Sequence, residues 1–144
     1  MLFNQIFPKF STFSLKQNST FLQIINFGDC LVRTEGARKI AASLQTSNPN
    51  LKELNLSFGE IRLSGGLKVC ECMQSKENLK LLDLNGNQFG EDGCDDIQKL
   101  AENLKHGMEV LVELEDDEGD SDDEDDSEEE VILVIYKNVL ARFF

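Results

Sequence analysis

One histidine, four cysteines and 27 carboxylates are the side chains of this sequence that could carry chemistry. His106 has no serine or cysteine at a nucleophile–base spacing and reads as a helix-end residue. Cys70 and Cys72 stand two apart; on a helix they diverge by about 200°, too far to share a metal ion. Cys30 falls where a small polar side chain bonds turn backbone. The glycines of Asn85-Gly86-Asn87-Gln88-Phe89-Gly90 belong to a turn and not to a phosphate-binding G-x-x-x-x-G-K loop. Carboxylates cluster only between Glu113 and Glu130, where no scaffold fixes them in a catalytic geometry. The expectation is a chain that is no enzyme, without metal or cofactor, working by binding a protein.

The net charge of −13 is confined in the same way. The stretch Glu113–Glu130 holds 14 acidic residues and no basic one, and without it 13 acids face 14 bases. A roughly neutral fold with an acidic segment follows. The first twenty residues contain no continuous apolar run and no small-residue cleavage site, and no stretch approaches a membrane span. With four free thiols, this suits a reducing compartment.

What must position any site is a repeat. The pattern L-x-x-L-x-L-x-x-N/C-x-L is met by Leu22, Ile25, Phe27, Cys30, Val32; by Leu51, Leu54, Leu56, Gly59, Ile61; and by Leu79, Leu82, Leu84, Asn87, Phe89. Their starts are 29 and 28 residues apart. At one later offset stand Gly36, Gly65 and Gly93, and at another Ile40, Val69 and Ile97. The alternation in L-x-L predicts short strands with Ile25/Phe27, Leu54/Leu56 and Leu82/Leu84 on one face. Helical spacing predicts helices over Glu35–Gln45, Ser64–Gln74 and Asp92–Leu104, capped by Thr34, Ser64 and Asp92. Neither element buries its apolar side alone, so the units stack into a parallel sheet lined by helices.

The expected fold is therefore α/β, a leucine-rich-repeat solenoid of 28–29-residue strand–helix repeats with a disordered acidic tail. The segments are an atypical 1–20, repeats over 21–110, a disordered acidic 111–130 and a short apolar 131–144. Met1–Thr20 lacks the glycine–apolar pattern, although Phe3, Phe7, Phe10 and Phe13 have near-helical spacing. It reads, like Val131–Phe144, as an artificial chain end. The acidic run has too few apolar groups to offset the entropy of ordering.

The open strand face is the candidate site. Beside the buried leucines project Ile24, Asn26 and Gly28; Glu53, Asn55 and Ser57; and Leu81, Asp83 and Asn85. Asn26, Asn55 and Asp83 share one offset and form a polar ladder. Partner-binding candidates are Asn26, Glu53, Asn55, Ser57, Asp83 and Asn85, joined by Asp122, Asp123, Glu124, Asp125 and Asp126 of the tail, which suit a basic protein surface.

Phe21–Arg33, Leu51–Phe58, Leu81–Asn87 and Gly93-Cys94, running into the acids, resemble the last repeats of the Ran GTPase-activating protein family. The resemblance implies ribonuclease-inhibitor-type repeats, the small GTPase Ran as partner, and faster GTP hydrolysis by Ran in nucleocytoplasmic transport. It implies a cytoplasmic place, at the nuclear envelope or pore, and no nucleic-acid partner. Activation in that family is ascribed to ordering of the GTPase's own machinery, not to an inserted arginine. Those contacts come from earlier repeats, which this sequence lacks, so no catalytic residue is carried over. A generic leucine-rich-repeat binding module, or an acidic leucine-rich nuclear phosphoprotein, is the alternative; the latter's repeats are shorter.

Overall fold

The computed structural model describes residues 22–119. Three short strands, β1 (Ile24–Asn26), β2 (Glu53–Asn55) and β3 (Leu81–Asp83), alternate with three helices, α1 (Arg33–Leu44), α2 (Leu63–Met73) and α3 (Glu91–Ala101). The strands pair in parallel in the order β1-β2-β3, with Ile25 opposite Leu54 and Leu54 opposite Leu82. The repeat length sets this register, because residues at equal offsets lie side by side. A slip of one residue would turn every leucine to the wrong face.

The core lies between sheet and helices. Ile25, Leu54 and Leu82 point inward from the strands, and Leu56 and Leu84 continue the line. Ala37, Ile40, Ala41 and Leu44 of α1, Val69 and Met73 of α2, and Ile97 of α3 meet them. Phe27 is only partly buried, unlike its counterparts Leu56 and Leu84. Packing of the Phe89 ring against α2 needs Gly66, since a Cβ there would lie 2.6 Å from that ring.

Helix ends depart from the sequence reading. The N-cap positions are Val32, Arg62 and Gly90, none with a side-chain cap bond, and not Thr34, Ser64 and Asp92. The hydroxyls serve neighbouring units instead. Thr34 Oγ1 accepts the Arg62 N–H at 2.9 Å, and Ser64 Oγ accepts from Arg38 at 2.7 Å. α3 stops at Ala101, short of Leu104, and a 3₁₀ turn follows over Gly107–Val110. Lys76, almost fully buried, donates its ammonium to the carbonyls of Leu44 and Ser47, closing the C-terminal end of α1. Burial holds that ammonium's pKa below its ordinary value.

The turns between strand and helix are joined by Asn87. Its Oδ1 accepts from the N–H groups of Gly59 and Ile61 at 3.0 and 3.1 Å. Its amide nitrogen donates to the carbonyls of Leu56 and Leu84 at 3.1 and 2.7 Å. One fully buried side chain thus satisfies backbone groups of two successive repeats.

The acidic segment expected to be disordered from 111 does not begin there. Leu111 bridges Leu82 as a further strand position, and the Val112 N–H donates to the Leu82 carbonyl at 2.9 Å. Asp117 then takes up the work of Asn87 one repeat on. Its carboxylate accepts the N–H groups of Phe89 and Gly90 at 2.9 and 3.0 Å, at the start of α3. A carboxylate can do this because the amides at a helix start attract negative charge. Glu118 donates its backbone N–H to Asn87 at 2.7 Å. The sequence reading missed this docking because composition averages over the run, whereas a few bonds fix its first residues. Residues 1–21 and 120–144, including the expected end segments, lie outside the described residues.

Two outcomes check this packing. Leu56→Ala should cost ~2–5 kcal/mol by leaving a cavity, and a thermal melt matching the parent would disprove the repeat register. Asp117→Ala should cost about 0.5–2 kcal/mol, as for loss of a helix cap. It should also speed alkylation of Cys94, whose thiol pKa is raised first by burial and then by the charge and hydrogen bond of Asp117. Unchanged Cys94 labelling would mean that Asp117 does not dock on α3.

Candidate functional site

The strand face turned away from the helices aligns side chains from all three repeats in register. Alternate strand residues point there, while Ile25, Leu54 and Leu82 point inward. The register sets Ile24 beside Glu53 and Glu53 beside Leu81 in one row. Asn26, Asn55 and Asp83 form the next row. The predicted ladder is present, and its side chains do local work as well.

Each of the three turns its oxygen back to the chain two residues on. Asn26 Oδ1 accepts the Gly28 N–H at 2.9 Å, Asn55 Oδ1 that of Ser57 at 2.9 Å, and Asp83 Oδ1 that of Asn85 at 3.1 Å. These bonds end the strands after three residues, since they compete with sheet pairing. The Ser57 hydroxyl also donates to Asn55 Oδ1 at 2.7 Å and is buried, so Ser57 supports the ladder rather than offering a contact. The amide nitrogens of Asn26 and Asn55 take no part in these bonds. Gly28 is closed in: a Cβ there would meet Asn55 Oδ1 at 2.8 Å.

Asn85, at the end of β3, is committed to the chain. Its amide donates to Asp116 at 2.8 Å, and its oxygen accepts the Asp116 N–H at 2.9 Å. Asn26, Glu53, Asn55, Ser57, Asp83 and Asn85 are therefore brought together on one face, whereas Asp122, Asp123, Glu124, Asp125 and Asp126 lie outside the described residues. The sequence reading missed two elements of the rim, Asp116 and Phe58. Phe58 is one residue past the ladder serine and 45% exposed. Its signal was available: at its repeat offset stand Asp29 and Gly86, and neither is apolar.

The thiols are unsuited to nucleophilic work. Burial pushes the Cys70 thiol up to about 12, with a smaller contribution from Glu71. Cys94 rises to about 11 through burial, then through the charge and hydrogen bond of Asp117, with Asp95 adding to it. Cys30 points its sulfur at the Gly28 carbonyl, 3.5 Å away, as a structural donor. His106 is exposed beside the 3₁₀ turn, beyond the end of α3.

Comparison with known proteins agrees with this geometry. Residues 47–70 and 75–97 match a family model described as Leucine Rich repeat. Ran GTPase-activating protein 1 of Xenopus laevis is 42% identical over 67 residues, 46% of this chain and 11% of that protein. RAN GTPase-activating protein 2 of Arabidopsis thaliana is 29% identical over 99 residues, 69% of this chain and 18% of that one. Ran GTPase-activating protein of Drosophila melanogaster is 41% identical over 54 residues, covering 38% and 9%. The match spans between about a tenth and a fifth of the length of these relatives.

One expectation is corrected by them. Reading the chain as no enzyme, on the ground that it lacks a catalytic constellation, is at odds with relatives named as GTPase-activating proteins. Their names describe acceleration of GTP hydrolysis, which a search for nucleophiles and bases in one chain does not detect. The chain carries leucine-rich repeats over residues 47–70 and 75–97 within an α/β fold, and over part of its length it is similar to the Ran GTPase-activating proteins.

Proposed function

We propose that these repeats are part of a ribonuclease-inhibitor-type solenoid that binds the small GTPase Ran, as a component of a Ran GTPase-activating protein in nucleocytoplasmic transport. The observation that carries this reading is the in-register open face, built by repeats that match the three relatives. Asn26, Glu53, Asn55 and Asp83 supply polar contacts, with Ser57 and Asn85 holding the face in shape. Asp122, Asp123, Glu124, Asp125 and Asp126 attract basic protein surfaces at long range, raising the rate of encounter more than the affinity. The setting is cytoplasmic, at the nuclear envelope or pore.

Acceleration of GTP hydrolysis demands positioning of the GTPase's own groups. The contacts that do so are assigned, in the same reading, chiefly to stretches of the relatives outside the match. The test measures Ran binding and single-turnover GTP hydrolysis by Ran with excess chain, beside the Xenopus relative. Binding that weakens with added salt, with acceleration more than about tenfold below the relative, is the expected result. Absence of binding at low salt would overturn the proposal, and acceleration equal to the relative's would move the activating contacts into these repeats.

A further inference from the structure

The residue after each strand-ending loop adopts left-handed backbone: Asp29 at φ 55°, Phe58 at φ 50° and Gly86 at φ 69°. The turn itself imposes this, because all three repeats make it. Glycine takes the conformation without strain, aspartate tolerates it, and an aromatic residue is disfavoured there. At this offset the phenylalanine ring leaves 45% of the residue's surface in water. An apolar ring held in a disfavoured backbone on the surface is the mark of a contact residue.

The ring is also fixed in place. It lies on the backbone of Gly86, so closely that a Cβ at Gly86 would be 2.3 Å from its Cδ1 and Cε1. The Phe58 N–H donates to the Asn85 carbonyl at 2.9 Å, and Asn85 is clamped by Asp116. Asp29 lies on the other side, its N–H on the Ser57 carbonyl at 2.8 Å and its side chain exposed. At one strand spacing per repeat, Asp29 and Asp116 flank the ring about 15 Å apart. The rim thus presents one apolar group with a carboxylate on each side.

We propose that Phe58 is the anchor of the protein contact: its ring enters an apolar recess on a basic protein surface, while Asp29 and Asp116 receive lysine or arginine side chains at the edge of that recess. The inference rests on the Ran-binding reading for the identity of the partner, and on this geometry for the rest. Because one side of the ring already packs on Gly86, the ordering cost on binding is reduced.

The test titrates Ran carrying a non-hydrolysable GTP analogue against the full chain and its variants, with a thermal melt of each. Phe58→Gly and Phe58→Asn remove the ring and relax the backbone, so each should keep or raise the melting temperature while weakening binding by about tenfold or more. Met108→Ala, at another exposed apolar residue, should leave binding unchanged. Asp29→Asn should weaken binding at low salt and little at high salt. Unchanged affinity in Phe58→Gly, with the parent chain binding, overturns this inference alone. Lower melting temperatures in both Phe58 variants would make the ring a packing element and overturn it as well. No binding by the parent chain overturns the Ran reading and this contact together.

Discussion

The buried amide of Asn87 is the interaction on which the rest of the structure depends. A chain that leaves a short strand and turns outward to a helix exposes backbone N–H and C=O groups inside the molecule, away from water. Neither strand nor helix can satisfy them. Asn87 does so for its own turn and for that of the preceding repeat, accepting from Gly59 and Ile61 and donating to Leu56 and Leu84. It follows that each repeat is incomplete without its neighbour, which is why stability here is a property of the stack.

The same constraint explains the end of the described stack. At the start of α3 the N–H groups of Phe89 and Gly90 still require an acceptor. Asp117 supplies it. Where Asn87 must donate as well as accept, the position needs an amide; where acceptance is enough, a carboxylate serves and gains from the helix start beside it. The first acids of a strongly charged run are in this way part of the fold. Their charge is felt inside, at the Cys94 thiol, whose rise to about 11 begins with burial and is increased by Asp117.

The turn that the ladder residues enforce has a second consequence. Asn26, Asn55 and Asp83 each fold back on the residue two ahead, and the chain then passes through left-handed backbone at Asp29, Phe58 and Gly86. The side chains of Asp29 and Phe58 are thereby lifted onto the rim of the open face. Their identity is free of the core, so the rim can vary while the leucines stay fixed. Polar contacts on the face and an aromatic ring on the rim arise from one backbone geometry.

Spacing alone determined the repeat in this protein: a period of 28–29 residues fixes which residues lie side by side, so strand order, register, the buried leucines and the row Asn26–Asn55–Asp83 were all legible. Periodicity is a one-dimensional signal and such stacking is a nearly one-dimensional fold, which is why so much carried over. What only the tertiary structure decided are the polar partners across repeats. Thr34 and Ser64 look like caps in sequence, but the hydroxyls find the Arg62 N–H and the Arg38 side chain of neighbouring repeats, which no local pattern contains. Asp116 and Asp117 look like solvated acids until a helix start and Asn85 come within reach. Burial follows from pattern, whereas the choice of a hydrogen-bond partner depends on which donor or acceptor three-dimensional packing brings near.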